Sequence, residues 1–186
     1  MRTVIARIFD YSLDGVIATE DTPFFDFCRE LPDDPMQIDR TRALYAGADV
    51  HIMGRAAYLG AAGYFPTATD HPYADLMNAA RKVVFSRTLT SADWANSTIA
   101  SGRLDTELAA LRQGGDGVIV AHGGVGFWKS LIEHDLIDEY RITVFPYLAG
   151  TGTRLFGDIT EPPRLEFVSA IPFKYGTMEV AYRRTR

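Results

Sequence analysis

The chain has a single cysteine, Cys28, so it forms no intramolecular disulfide and no cysteine-rich metal site. Its place beside Phe24, Phe25 and Phe27 reads as a half-buried thiol in an apolar patch rather than a nucleophile. Basic residues are not in excess: 19 Lys and Arg against 24 Asp and Glu give a net charge of −5. That balance argues against nucleic acid or an anionic membrane as partner, since both call for a basic face. No apolar run approaches the roughly 20 residues of a membrane span, and the N-terminus has no signal-peptide apolar core. Repeats, low-complexity tracts and linkers are missing as well. What is present is ordinary: 186 residues, 47% of them hydrophobic, enough to bury one core. The expectation is a single cytoplasmic domain over residues 1–186, with no metal, nucleic acid or membrane as partner.

Apolar runs and breakers divide the chain into alternating elements. Val4–Phe9 reads as a first strand that ends at the turn Ser12-Leu13-Asp14-Gly15. A short helix around Phe24–Glu30 is followed by one that starts at Asp34-Pro35 and stops at Gly47. Strands are predicted at Asp49–Met53, Lys82–Ser86, Thr98–Ala100 and Val118–Ala121. Helices are predicted after Gly54-Arg55 (about two turns), at Tyr73–Ala80, at Leu104–Arg112 and at Phe127–His134. The last third changes character, with strands at Glu139–Phe145, Leu165–Ile171 and Met178–Tyr182 and no helix between them. The pattern predicts an α/β protein with a mixed sheet, antiparallel at its C-terminal end and covered by helices.

Three strand ends carry unusual chemistry. Val118–Ala121 runs into Gly123-Gly124-Val125-Gly126, Val50–Met53 into Gly54-Arg55, and Val83–Phe85 into Ser86-Arg87-Thr88. A glycine at a helix start exposes backbone amides at the positive end of the helix dipole, a geometry that receives phosphate. Each site also has a purely conformational reading, a tight turn or a polar loop. Together they offer two amide sites for a pyrophosphate and, at Arg87 with two hydroxyls, a third for another phosphate. A dinucleotide with an extra ribose phosphate is NADPH. No Gly-x-Gly-x-x-Gly follows the first strand, so the arrangement is not the usual Rossmann one.

Several strings resemble the dihydrofolate-reductase-like superfamily: Ser12-Leu13-Asp14-Gly15-Val16-Ile17-Ala18, Met53-Gly54-Arg55 and Val83-Val84-Phe85-Ser86-Arg87-Thr88-Leu89. The later strings are similar to its RibD C-terminal (riboflavin-biosynthesis reductase-like) branch: Gly123-Gly124, Leu136–Ile142, Pro146 and Gly150-Thr151-Gly152-Thr153-Arg154-Leu155-Phe156. The resemblance covers nearly the whole chain in order. It implies a three-layer α/β/α fold with a mixed, mostly parallel sheet of about eight strands, NADPH as hydride donor, and a homodimer. It implies that Gly54-Arg55-Ala56 and Gly123-Gly124-Val125-Gly126-Phe127 hold the pyrophosphate. Ser86-Arg87-Thr88 would meet the 2′-phosphate, and Ile17 and Ala18 would lie beside the nicotinamide. It further implies a cis peptide between Gly123 and Gly124. One departure stands out: Ala57 occupies a position where many relatives carry a phosphate-binding threonine.

The substrate side is less defined. Among Asp33, Asp34 and Asp39, the last is the candidate for the carboxylate that such reductases place on the helix after the first strand; Asp33 and Asp34 read as helix caps. Asp14 is a turn residue near the nicotinamide edge and a second catalytic candidate. Phe25 and Tyr58 are candidates for a flat-ring pocket, with ordinary core as the alternative. Arg154 resembles a position on the substrate-phosphate side of the cleft. His51 reads as core or cleft wall, and His122 as a strand-end histidine. The resemblance thus implies an NADPH-dependent reductase of a small heterocyclic substrate. The alternative is a non-catalytic dimeric nucleotide- or ligand-binding protein that keeps the cofactor site.

Overall fold

Alternation of β-branched and apolar residues makes Thr3–Ser12 the first strand, β1, three residues longer at its end than the sequence pattern suggests. The computed structural model describes residues 1–157 and 159–185. After β1 come helices α1 (Pro23–Glu30) and α2 (Pro35–Ala46), strand β2 (Ala48–Gly54), and helices α3 (Arg55–Tyr64) and α4 (Ala74–Ala79). Strands β3 (Lys82–Phe85) and β4 (Ser97–Ala100), helix α5 (Leu104–Gln113), strand β5 (Val118–Ala121) and helix α6 (Val125–Glu133) follow. The chain then runs through β6 (Glu139–Phe145), β7 (Leu165–Pro172) and β8 (Met178–Arg184).

The strands form one eight-stranded sheet in the order β4-β3-β2-β5-β1-β6-β8-β7. β4, β3, β2, β5, β1 and β6 pair in parallel, and β8 runs antiparallel to both β6 and β7. The antiparallel part therefore begins at β8, because β6 still reaches β1 through the α6 crossover. β7 closes the sheet as an edge strand.

Period-two alternation sorts β1 between two helical layers. Val4, Ala6 and Ile8 pack with Leu108 of α5 and with Trp128 and Leu131 of α6. Ile5 faces the other way, into a cluster with Leu44 and Tyr45 of α2, Tyr58 of α3 and Met77 of α4. The fold is the expected three-layer α/β/α. Leu108 and Leu131 are fully buried; truncating such a residue to alanine costs about 2–5 kcal/mol. Among the described residues no helix is long and apolar enough to cross a membrane.

Candidate active site

β3, β2 and β5 are parallel neighbours, so their carboxyl ends share one edge of the sheet, where α/β sheets gather ligands. At that edge the Gly54 N–H donates to the Gly123 carbonyl (3.0 Å), joining two strand-to-helix junctions. A β-carbon on Gly54 would stand 2.7 Å from Cβ of Phe127. Gly123 has φ +89, and a β-carbon there would overlap the Trp128 indole, so both features require glycine. Gly124 lies against the first turn of α3, with Ala56 Cβ 3.7 Å from where its own β-carbon would be. α3 and α6 thus start side by side. Their N-cap residues are Gly54 and Gly124, neither helix has a side-chain cap, and neither carries an acidic residue in its first turn. The Gly123–Gly124 peptide is trans, not cis. The positive φ of Gly123 makes the turn instead.

Beside these starts, the buried Ser86 hydroxyl accepts from the Thr88 and Leu89 amides (3.2 and 3.0 Å) and folds the loop after β3. Ser86 therefore shapes that loop. Arg87, Thr88 and Arg55 are exposed, and neither arginine pairs with any described residue. Ile17 and Ala18 are held by backbone bonds to Thr153 (3.0 Å) and Asp10 (2.9 Å).

A cavity of about 460 Å³ opens next to the junctions, reaching Met53 at the end of β2, Ala57 in α3 and His122 after β5. That volume suits a small ligand. Arg7 forms part of its wall and is fully buried; it donates to Thr143 Oγ1 (2.9 Å), lies 3.5 Å from Glu179, and covers the Phe9 ring at 3.8 Å. Its Nε has no partner. Burial lowers the Arg7 pKa, with Glu179 opposing. Tyr45 and His122 also line the cavity, and His122 Nε2 lies 2.7 Å from His51 Nδ1. Burial brings His51 down to about 4 and His122 well below the usual range, so the stacked pair is neutral at pH 7. Cys28 lines the same cavity, and burial pushes its thiol up to about 12, which keeps it protonated.

The model of the RibD C-terminal domain matches residues 2–178. The chain belongs to the RibD C-terminal domain family. It is 29% identical over 107 residues to the uncharacterised protein YyaP of Bacillus subtilis (strain 168), a match that spans 58% of this chain and only 56% of that protein. A solved protein of Shewanella sp. PV-4 named for riboflavin biosynthesis is 27% identical, with 99% of each chain covered and a TM-score of 0.79. Dihydrofolate reductase of Enterococcus faecalis, solved in complex with NADP(H), shares 19% identity and a TM-score of 0.64 over 99% of this chain and 97% of its own. That likeness is one of fold.

Within this RibD C-terminal fold the predicted substrate-side residues separate. Asp39 is exposed on α2 and does not line the cavity. Asp34 does line it, but its carboxylate accepts from the Met36, Gln37 and Lys174 amides (2.8, 3.2 and 2.6 Å) and serves as the cap of α2. Asp14 accepts from the Ser12 hydroxyl and the Ala149 and Gly150 amides, which tie the first turn to the loop after β6. Those bonds, the one from Ser12 foremost, hold its carboxyl at about 2 and leave no proton to donate at neutral pH. Arg154 donates to the Asp14 carbonyl (2.5 Å) and belongs to the same turn. Tyr58 is buried, its hydroxyl accepting from the Trp94 amide (3.1 Å), and Phe25 lies under Arg29; neither lines the cavity. Sequence reasoning missed Arg7, Asp10, Tyr45 and Tyr73, all in the cavity wall. Arg7 sits in an apolar strand run with no local signal of a site, and the others become its neighbours only on folding.

Proposed function

We propose that the chain is an NADPH-dependent reductase of a small heterocyclic substrate, acting by direct hydride transfer. One observation carries the reading: two uncapped helix starts, joined by the Gly54–Gly123 hydrogen bond, stand beside a 460 Å³ cavity. Their outward amides, at Arg55, Ala56, Val125 and Gly126, fit a pyrophosphate, and a β-carbon on Gly54 or Gly123 would spoil the junction. Arg87 and Thr88 suit the 2′-phosphate, which distinguishes NADPH from NADH. Ile17 and Ala18 border the nicotinamide in this reading, and Phe127 supports the clamp from behind Gly54.

The dihydronicotinamide, when bound, supplies the hydride. The protein holds the phosphates, fixes the substrate in the cavity and excludes water from it. A riboflavin-pathway substrate fits this reading, since the Shewanella relative is named for riboflavin biosynthesis. Ala57 keeps a second reading open, a binding protein without turnover, because it removes one phosphate hydrogen bond. A homodimer belongs to the same proposal: edge strand β7 exposes Leu165, Phe167 and Val168 in an apolar strip. A cytoplasmic location is part of the same proposal.

Calorimetry with NADPH and NADH tests the cofactor. NADPH is expected to bind in the micromolar range, and Arg87→Ala to weaken it far more than NADH. Equal losses for both would remove Arg87 from the 2′-phosphate. An NADPH-oxidation screen with dihydrofolate and the uracil-type riboflavin precursor then separates reductase from binding protein.

A further inference from the structure

β1 pairs with β6 in regular register as far as Ile8↔Ile142 and resumes at Tyr11↔Val144. Between these pairs β1 inserts Phe9 and Asp10, where β6 has only Thr143. This is a β-bulge, a device that re-aims side chains. Its effect is visible on both faces of the sheet. Arg7 and Phe9 face the cavity; regular alternation would send Asp10 to the opposite face and return Tyr11. Instead Asp10 lines the cavity with Phe9, and Tyr11 packs across the sheet against Phe156. Asp10 adopts φ +53, a conformation uncommon for any residue but glycine, asparagine and aspartate. Its carbonyl accepts from Ala18 N–H (2.9 Å), so the same residue anchors the loop that carries Ile17 and Ala18.

Three carboxylates line the cavity: Asp10, Asp33 and Asp34. Asp34 is consumed by three amides, and Asp33 is exposed at the rim. The Asp10 carboxylate accepts no hydrogen bond from the described residues, and its nearest cation is Arg29 Nη2 at 3.9 Å, on a side chain 66% exposed. A strained backbone that presents an unbonded carboxyl to a cavity points to function.

We propose that Asp10 is the proton donor of the reduction, protonating the heteroatom of a C=N or C=O bond in the substrate ring. The proposal rests on the reductase reading. The carbon of that bond would take the hydride that NADPH supplies when bound, the cofactor leaving as NADP+. The π electrons move to the nitrogen or oxygen, which takes the Asp10 proton as the carboxyl O–H breaks. The carboxylate that remains lies near Arg29 and is reprotonated by water, since its side chain is 29% exposed. The groups that face Asp10 are Arg29 and Cys28 from α1 and Arg7 from its own strand, with Asp33 across the cavity. Burial raises the Asp10 pKa against the opposing pull of Arg29 and Arg7, as an acid needs.

The test uses the ligand-free protein with aspartate carboxyl carbons labelled with carbon-13, titrated by NMR. One carboxyl is expected to titrate above the ordinary aspartate range and to vanish in Asp10→Asn, which tolerates the positive φ. An Asp10 signal in the ordinary range overturns the proposal. On a substrate found by the oxidation screen, Asp10→Asn is expected to lower kcat by about 100-fold and to remove the alkaline limb of the pH profile, with NADPH affinity unchanged. Turnover within threefold of wild type overturns it as well. Failure of wild-type protein to bind NADPH overturns the reductase reading and the proposal with it. NADPH binding with an ordinary Asp10 overturns the proposal alone.

Discussion

At the start of α2 the Asp34 carboxylate accepts from Met36 and Gln37 and, across the chain, from Lys174. At the starts of α3 and α6 the equivalent amides meet no side chain, and the cap residues are Gly54 and Gly124. α1 follows the pattern of α2, with Thr22 accepting from Phe25 (3.3 Å). α5 also lacks a side-chain cap, but its first turn carries Asp105 and Glu107, and Glu107 accepts from Gly102 (3.1 Å). The chain therefore caps α1 and α2 with its own side chains. Like α5, α4 has no side-chain cap but carries Asp75 in its first turn, so only α3 and α6, where β2 and β5 end side by side, start with neither a side-chain cap nor an acidic residue. Open amides at a helix start favour an anion. In the proposed reading, the difference separates the starts that only keep the structure from those that would meet a cofactor.

The largest expected effect breaks the open side. Gly123→Ala places a β-carbon at φ +89 and into Trp128, which should cost about 2–5 kcal/mol and abolish NADPH binding. Urea denaturation and calorimetry read the two losses. Breaking the closed side has the opposite signature. Asp34→Ala removes the cap of α2 at a cost of about 1–2 kcal/mol, while the NADPH Kd stays within about twofold. The Asp34 loss is also pH-dependent. Burial would raise this carboxyl, but the Lys174, Gln37 and Met36 amides outweigh it and hold it below its ordinary value. Its stabilisation is then present above the unfolded pKa of about 3.9 and is lost as pH falls through the lower folded value. Wild type and Asp34→Ala should converge in urea midpoint toward strongly acid pH; a constant gap would contradict the assignment.

These contrasts were unevenly legible in the sequence. Asp34-Pro35 and Gly123-Gly124 announce their roles locally, because a cap and a turn need only the residues beside them. The sheet was readable too, since apolar runs and breakers specify strands and helices. Asp10 was not: its orientation depends on a register shift between β1 and β6, strands over 130 residues apart in sequence. Arg7 was hidden for a similar reason, as its partners Thr143 and Glu179 come from β6 and β8. Asp39 shares the helix of the α2 cap, yet its exposed position leaves it outside the cavity. Helix periodicity alone does not show which carboxylate a cavity wall will take.

Two smaller effects sharpen the open side. Arg87→Ala is expected to weaken NADPH about tenfold, about 1.4 kcal/mol, and to change NADH by less than twofold. Ala57→Thr restores the hydroxyl and is expected to tighten NADPH about fivefold, about 1 kcal/mol. No gain would mean that the open amides already satisfy the phosphate at that position.

The contrast itself is read most directly by an amide nitrogen-15 NMR titration of the intact protein with NADPH. The account predicts that the amides of Arg55, Ala56, Val125 and Gly126 shift first and furthest, while those of Phe25, Met36 and Gln37 stay still. Shifts at the capped starts equal to those at the open ones, or no shift at either, would contradict it.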